Sequence, residues 1–265
     1  MSKFSKLGKS LSNIAKRPSL LNLVLTENET LKEEFKSKFN GLEALPQISF
    51  DDLTENLDEN VELFVLDGAS LPTDLALLKT LAKGKNSFFE IGTWRGESVW
   101  NVAKVIDDCT TFNLSAEEIA AFGLDPMYAE LHGVLSKKNP KILHLEGNSK
   151  IFDFASLNKK YDLIFIDGDH SYEMVRNDTE KVFSHLVHDD TVVVWHDYAF
   201  NPEKIRYEVF GGIMDGLPEK FRNNLYHVKN TMCAVLIRGE FKTSKFQRFN
   251  NQPYVFDVNI KMKKY

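Results

Sequence analysis

Apolar and polar positions follow two different periods along this chain, and the changes of period mark its elements. Over residues 3–16 the period is helical: Phe4, Leu7, Leu11 and Ile14 share one face, and Lys3, Lys6, Lys9 and Lys16 lie elsewhere. A basic amphipathic helix of this kind can lie on an anionic membrane surface, but packing on its own domain or on a partner subunit is the preferred reading. Pro18 interrupts the pattern. Thr26 and Glu29 have capping-box spacing before a second helix with the stripe Leu31, Phe35 and Phe39, which Gly41 and Pro46 close. The acidic stretch 51–62 reads as solvated surface. Residues 1–70 are therefore expected to form a mainly helical extension.

From Pro72 onward, short apolar runs alternate with helical stretches. Thr73 or Asp74 can cap a helix containing Leu75, Leu77, Leu78 and Leu81, which Gly84 ends. Strands are expected at 87–91, 110–114, 142–145, 163–166 and 192–195, with a closing hairpin of 225–228 and 233–237. Helices are expected at 98–107, from Ser115 with Glu118 as its capping-box partner, at 172–186 and at 202–214. The wholly apolar run 163–166 suits a strand covered on both faces. This alternation predicts an α/β fold over residues 71–240: a doubly wound, Rossmann-like sheet of about seven strands with a C-terminal antiparallel hairpin. In the tail, residues 241–265, Phe256, Val258, Ile260 and Met262 alternate with Asp257, Asn259 and Lys261. That is the pattern of an added strand, which either joins a sheet edge or crosses to a second subunit. A homodimer is thus among the expected assemblies.

Composition narrows the class. Hydrophobic residues make up 43% of the 265 positions, enough for a full core. The net charge of −5 gives no basic footprint, so no nucleic-acid partner is expected. Cys109 and Cys233 each sit in an apolar, strand-like stretch and read as buried thiols in a reducing compartment. No apolar run is long enough to span a bilayer, and Leu20 to Leu25 is too short for a signal core. The expected location is cytoplasmic.

The run Phe88-Phe89-Glu90-Ile91-Gly92-Thr93-Trp94-Arg95-Gly96-Glu97-Ser98 carries the first chemistry: strand, tight turn, helix. A dinucleotide fingerprint needs G-x-G-x-x-G, and here Trp94 stands near the place of the middle glycine. Its ring would obstruct a pyrophosphate. The Glu90 carboxylate would repel phosphate but attract an amine or a sulfonium. S-adenosylmethionine carries both cations and no phosphate. The run resembles the first motif of class I S-adenosylmethionine-dependent methyltransferases, in the E-I-G-T-x-x-G-x-S form of small-molecule O-methyltransferases of the catechol and caffeoyl-CoA type.

Ligands of open parallel sheets bind at the carboxyl ends of the strands. There the sequence places Asn113 and Ser115, then Gly147 to Lys150, then Asp167-Gly168-Asp169-His170-Ser171-Tyr172, and finally His196-Asp197-Tyr198. The Asp167 segment resembles the D-x-x-x-x-Y stretch of metal-dependent O-methyltransferases, and His196-Asp197 stands where those enzymes carry paired metal ligands. The resemblance spans about residues 72–240. It implies that Glu90 and Gly92 line the methionine end of the cofactor, that Thr93, Trp94 and Asp167 also belong to the cofactor site, and that Gly96 opens the helix N-terminus beneath it. It further implies that Asn148 and Ser149 form the adenine turn. No ribose-gripping acid is evident, and Asn113 is the nearest polar substitute. Asp167 and Asp197 would be metal ligands. His196 replaces a usual carboxylate and is either a ligand, a general base or a holder of the acceptor. Magnesium prefers an all-oxygen shell, whereas an imidazole favours manganese, iron or zinc. His170 matches the position of the basic residue that takes the acceptor proton. Tyr172 and Tyr198 either line the acceptor pocket or cap the core.

The expected activity is methyl transfer from S-adenosylmethionine to a hydroxyl of a small molecule, assisted by a divalent metal such as Mg or Mn. A methyltransferase-like binding or assembly protein without turnover is the main alternative. A nicotinamide-dependent oxidoreductase ranks below both, because the glycine fingerprint is missing.

Overall fold

Strands β2 (Ser87–Ile91), β5 (Leu163–Ile166) and β6 (Val192–Trp195) are buried along their whole length. Their near-continuous apolar character places them at the centre of a sheet covered on both faces. The computed structural model describes residues 3–21, 27–66, 70–249 and 252–264. The sheet also contains β1 (Gln47–Ile48), β3 (Asp108–Asn113), β4 (Ile142–Glu146), β9 (Leu225–Val228) and β10 (Ala234–Leu236), in the order β1-β9-β10-β6-β5-β2-β3-β4. Only β10 runs antiparallel to its neighbours. The eighth strand, beyond the seven expected, is β1. Two residues are too few to show a period, and its place is fixed by pairing with β9 and by the Gln47 Nε2–His227 Nδ1 contact of 3.1 Å.

Alternate strand residues face opposite layers. On one face Phe88, Leu163, Phe165, Val192 and Val194 pack with α3 (Pro72–Ala82) and α4 (Glu97–Val102) through Leu75, Leu78, Val99 and Val102. On the other face, α7 (Tyr172–His185) receives Trp195, whose Nε1 donates to Thr179 Oγ1 at 2.9 Å and whose ring stacks on Phe183. Helix α8 (Tyr207–Gly216) lies against α7 so closely that a Cβ at Gly212 or Gly216 would come within 2.7 Å of the Tyr172 or Arg176 carbonyl oxygen.

Several local readings change. Asp74 does not cap α3 from the N-cap position; Leu71 holds that place, and its N–H donates to Asp74 Oδ2 at 2.7 Å. The helix expected to reach residue 107 ends at Val102 and continues only as turns. Residues 199–205 form a small hairpin, β7 (Ala199–Asn201) with β8 (Lys204–Ile205), where a helix start was expected. Ser115 and Glu118 do form their capping box before α5 (Ala116–Ala121). A further short helix, α6 (Pro126–Leu131), starts from Asp125, whose Oδ1 accepts from Met127 N at 2.8 Å.

The acidic stretch is a strap rather than a solvated surface. Glu59 pairs with Lys79 at 2.8 Å and Lys83 at 2.5 Å. Glu62 accepts from Trp100 Nε1 at 2.8 Å and pairs with Lys104 at 2.9 Å and with Lys263. The tail, described over 252–264, contains no strand despite its alternation. Val255, Val258, Ile260 and Met262 are exposed there, because no sheet edge receives them. Cys109 and Cys233 are buried free thiols. Among the described residues no helix is long and apolar enough to cross a membrane.

The chain divides into two compact units at Glu43/Ala44, ahead of the boundary at residue 70 expected from sequence, because β1 and Phe50 belong to the sheet and its core. The first unit contains α1 (Lys3–Lys16) and α2 (Asn28–Lys38). The expected Thr26 cap lies outside the described residues; Glu27 is the N-cap, accepting from Glu29 N at 3.0 Å and Thr30 N at 3.3 Å.

Candidate active site

The strand order reverses beside β2, since β3 lies on one side of it and β5 on the other. That switch point opens a crevice at the carboxyl ends. Gly92 and Gly96 both have positive φ, +98° and +81°. A Cβ at Gly92 would overlap the Asp167 carbonyl, and one at Gly96 would overlap the Ser136 side chain. The fold itself therefore demands both glycines, before any ligand does. Glu90 lies beneath the turn, fully buried, accepting from Ser98 Oγ and, at 2.6 Å, from Thr111 Oγ1. Burial pushes its carboxyl up to about 8, against the two hydroxyl donors. Thr93 bonds Thr111 through their hydroxyls.

Trp94 stacks on Tyr128 with centroids 4.5 Å apart and meets His132 edge-on at 5.4 Å. Gly133 N donates to the Trp94 carbonyl at 2.7 Å, and Leu135 N to the Arg95 carbonyl at 3.0 Å. These contacts hold the α5–α6 segment over the turn. Beneath it a cavity of about 40 Å³ is bordered by Thr93, Asn113, His132, Lys137, His144 and Glu146. Small-molecule pockets measure roughly 300–1,000 Å³, so a nucleoside needs this segment to withdraw. Asn113 accepts from Thr93 N at 3.3 Å, which ties it to the motif turn. Glu146 borders the same cavity, directly opposite Asn113 across the β3–β4 ladder. A carboxylate thus stands beside Asn113, supplied by the neighbouring strand rather than by the residues that follow Asn113. Asn148 accepts from Lys150 N at 3.0 Å. Ser149 is buried beside Asn177 and Asp178. Tyr198 is buried in the core with its hydroxyl accepting from Leu45 N at 3.0 Å, so it does not line a pocket.

The loops after β5 and β6 bring two predicted residues, Asp167 and Asp197, against His196, and α3 brings Asp74. The His196 Nδ1 lies 3.0 Å from Asp167 Oδ1 and 3.2 Å from Asp197 Oδ2, and its Nε2 lies 3.2 Å from Asp74 Oδ2. Asp74 also accepts from Leu71 N and, at 2.8 Å, from Met232 N. Both ring nitrogens of the buried His196 thus face carboxylate oxygens, which favours the charged form of the ring. Burial opposes its charge, and Asp167, Asp197 and Asp74 overcome that, holding its pKa well above 6.5. His196 also forms, with Asp74 and Cys233, a buried group whose possible ligand atoms lie within 4.8 Å of one another. His170 stands at the rim, its Nε2 3.2 Å from Asp197 Oδ2. Asp197 reaches both rings from a left-handed backbone, φ +53°, a conformation more frequent for Asp than for most side chains. Asp167, His170 and Asp197 can each offer one ligand atom, all within 4.8 Å of one another.

Residues 89–198 match the family model of a methyltransferase domain. No curated protein matches the chain. Among solved structures, the chain is similar to a Staphylococcus aureus protein provisionally named a caffeoyl-CoA O-methyltransferase, at 18% identity and TM-score 0.46, covering 85% of this chain and 100% of that one. It is also similar to the O-methyltransferase from Bacillus cereus in complex with SAH, at 17% identity and TM-score 0.43, covering 65% and 83%. The match to the YcgJ protein of Bacillus subtilis has 13% identity and TM-score 0.35; it covers 46% of this chain and spans about half, 49%, of that one. The family match sets aside the nicotinamide-dependent reading. The match runs from the β2 motif through the His196-Asp197 pair, so residues 89–198 are similar throughout to a methyltransferase domain.

Proposed function

We propose that this domain transfers methyl from S-adenosylmethionine to a hydroxyl of a small molecule. The observation that carries the proposal is the meeting of Asp167, His170 and Asp197 at the carboxyl edge, one loop away from the glycine turn. Methyl transfer destroys charge as the sulfonium becomes a thioether, so the protein's tasks are alignment and removal of the acceptor proton. His170 takes that proton, with Asp197 fixing its ring. His196 holds the two rim carboxylates from below, and Asp74 holds His196. Glu90 becomes a carboxylate when a sulfonium approaches, giving the crevice a charge it lacks near neutrality. Asn113 and Glu146 border the cavity where a ribose diol could be gripped.

The donor set fits a divalent ion, held by Asp167, Asp197 and His170, and the imidazole favours manganese, iron or zinc over magnesium. When bound, such an ion would lower the pKa of an acceptor hydroxyl. His170 serves one role at a time, as ligand or as base. The deciding experiment measures S-adenosylhomocysteine formation across a panel of diols, with and without Mn²⁺, in the wild type and His170→Ala. Turnover on at least one diol, reduced at least about 100-fold by His170→Ala, supports the proposal. Absence of product with every diol, together with measurable S-adenosylmethionine binding, favours a methyltransferase-like binding protein. The small cavity and the internal engagement of Asn113 are the observations on that side.

A further inference from the structure

Helix α1 has no part in the chemistry above, and its apolar face is largely exposed, with Ile14 half-buried. None of its residues is buried, and Phe4, Leu7 and Leu11 are 85%, 57% and 59% exposed. The four apolar residues Phe4, Leu7, Leu11 and Ile14 still form one continuous stripe, because their spacing of three and four residues stacks them along a helix. Around that stripe stand Lys3, Lys6, Lys9 and Lys16, with Arg17 just beyond, and residues 1–26 contain no acid at all. The chain as a whole carries −5, so this helix is opposite in sign to the rest.

Charge decides what can cover such a face. A second copy of α1 would bring the same lysines together with no glutamate or aspartate to pair with them. The stripe is also only two heptads long, and a stable coiled coil needs about three to four. A bilayer with anionic headgroups offers both things the helix presents for: an apolar layer for the stripe and negative charge for the lysines, whose stems can reach upward to it. The geometry points to α1 as an interfacial helix that lies on an anionic bilayer, with Phe4, Leu7, Leu11 and Ile14 inserted and Lys3, Lys6, Lys9 and Lys16 at the headgroups. One short helix gives reversible, salt-sensitive attachment rather than permanent anchoring.

Sedimentation of the full chain with vesicles tests this. The protein should pellet with phosphatidylglycerol/phosphatidylcholine vesicles and not with phosphatidylcholine alone. Raising the salt to about 0.5 M should weaken the partition at least tenfold, since the Debye length then falls to roughly 4 Å. Leu7→Glu/Leu11→Glu should abolish pelleting while leaving the thermal melt and S-adenosylmethionine affinity unchanged, because no buried contact is lost. A Cβ added at Gly8 would meet nothing within 4 Å, so Gly8→Ala should strengthen the helix without a clash and tighten binding up to about fivefold. Equal pelleting with neutral and anionic vesicles would overturn the proposal, as would no pelleting at all. So would light scattering that shows Leu7→Glu/Leu11→Glu converting a dimer to a monomer, which would give the stripe to a second copy.

Discussion

The residue at the centre of the site is a histidine that is not free to act as one. His196 is locked between Asp74 below and Asp167 and Asp197 above. The sequence makes His196, Asp197, Asp167 and His170 legible, because each follows an apolar strand directly. It hides Asp74, which lies 122 positions away and reads locally as a cap. Removing one partner of a buried ion pair typically costs about 3–5 kcal/mol, so Asp74→Asn should destabilise the fold by roughly that amount in urea unfolding. The pH dependence follows from the signs. His196 has a folded pKa raised above 6.5, so its contribution is complete below 6.5 and is lost as pH rises through the folded value. Glu90 is raised from 4.5 to about 8, so the folded state holds an extra proton between those values and stability again falls as pH climbs through them. Wild-type stability should therefore decline from pH 5 to 9, on the order of 4 kcal/mol of it from Glu90, and Glu90→Gln should flatten the lower part of that decline. The same ionisation distinguishes cofactor from product. S-adenosylmethionine carries a sulfonium that S-adenosylhomocysteine lacks, so calorimetry should find the ratio of their affinities shifting toward S-adenosylmethionine as pH passes about 8. Glu90→Gln should remove that shift.

Elements bounded by turns and buried on both faces are the ones a sequence declares openly. β2, β5, β6 and β9 fall where their apolar runs end. Elements defined by a partner rather than by a period are not legible: two-residue β1 depends on β9, and the β7–β8 hairpin depends on its own cross-strand pairing. The tail fails in the opposite direction, with the alternation of a strand and no edge to receive it. Two element contacts give direct tests. Gly212 and Gly216 let α8 meet the backbone of α7, so Gly212→Ala and Gly216→Ala should each cost about 1–3 kcal/mol through overpacking, read as a lower Tm. The α5–α6 segment closes the crevice through the Trp94–Tyr128 stack. An aromatic pair contributes about 0.5–1.5 kcal/mol, so Trp94→Ala should speed association of labelled S-adenosylmethionine by roughly two- to tenfold in rapid filtration. An unchanged rate would mean that the cofactor enters by another path.

Across the molecule, segments distant in sequence converge on α4, the short helix that follows the glycine turn. The strap at 59–66 crosses it: Asn101 Oδ1 accepts from Glu62 N at 2.9 Å, Asn101 Nδ2 donates to the Glu62 carbonyl at 2.7 Å, and Glu97 receives the backbone N–H groups of Phe64 and Val65. The tail adds Lys263, which pairs with Glu62. Six residues of helix give little stability alone, so the position of the motif depends on this external brace. Glu62 is its junction, accepting from Trp100 and pairing with Lys104 and Lys263. Although burial alone would raise it, the donors from Lys263, Trp100 and Lys104 hold its carboxyl down at about 2. A depressed carboxyl stabilises the fold above 4.5, and that contribution fades only as pH falls toward 2. Glu62→Ala removes three partners at once and should cost about 1–2 kcal/mol at neutral pH. Each kcal/mol corresponds to a Tm lower by roughly 2–4 °C in a domain of this size. If the brace positions the motif, S-adenosylmethionine affinity must fall with it, while attachment of α1 to anionic vesicles stays as it was. A lower Tm with unchanged cofactor affinity would assign the strap to stability alone.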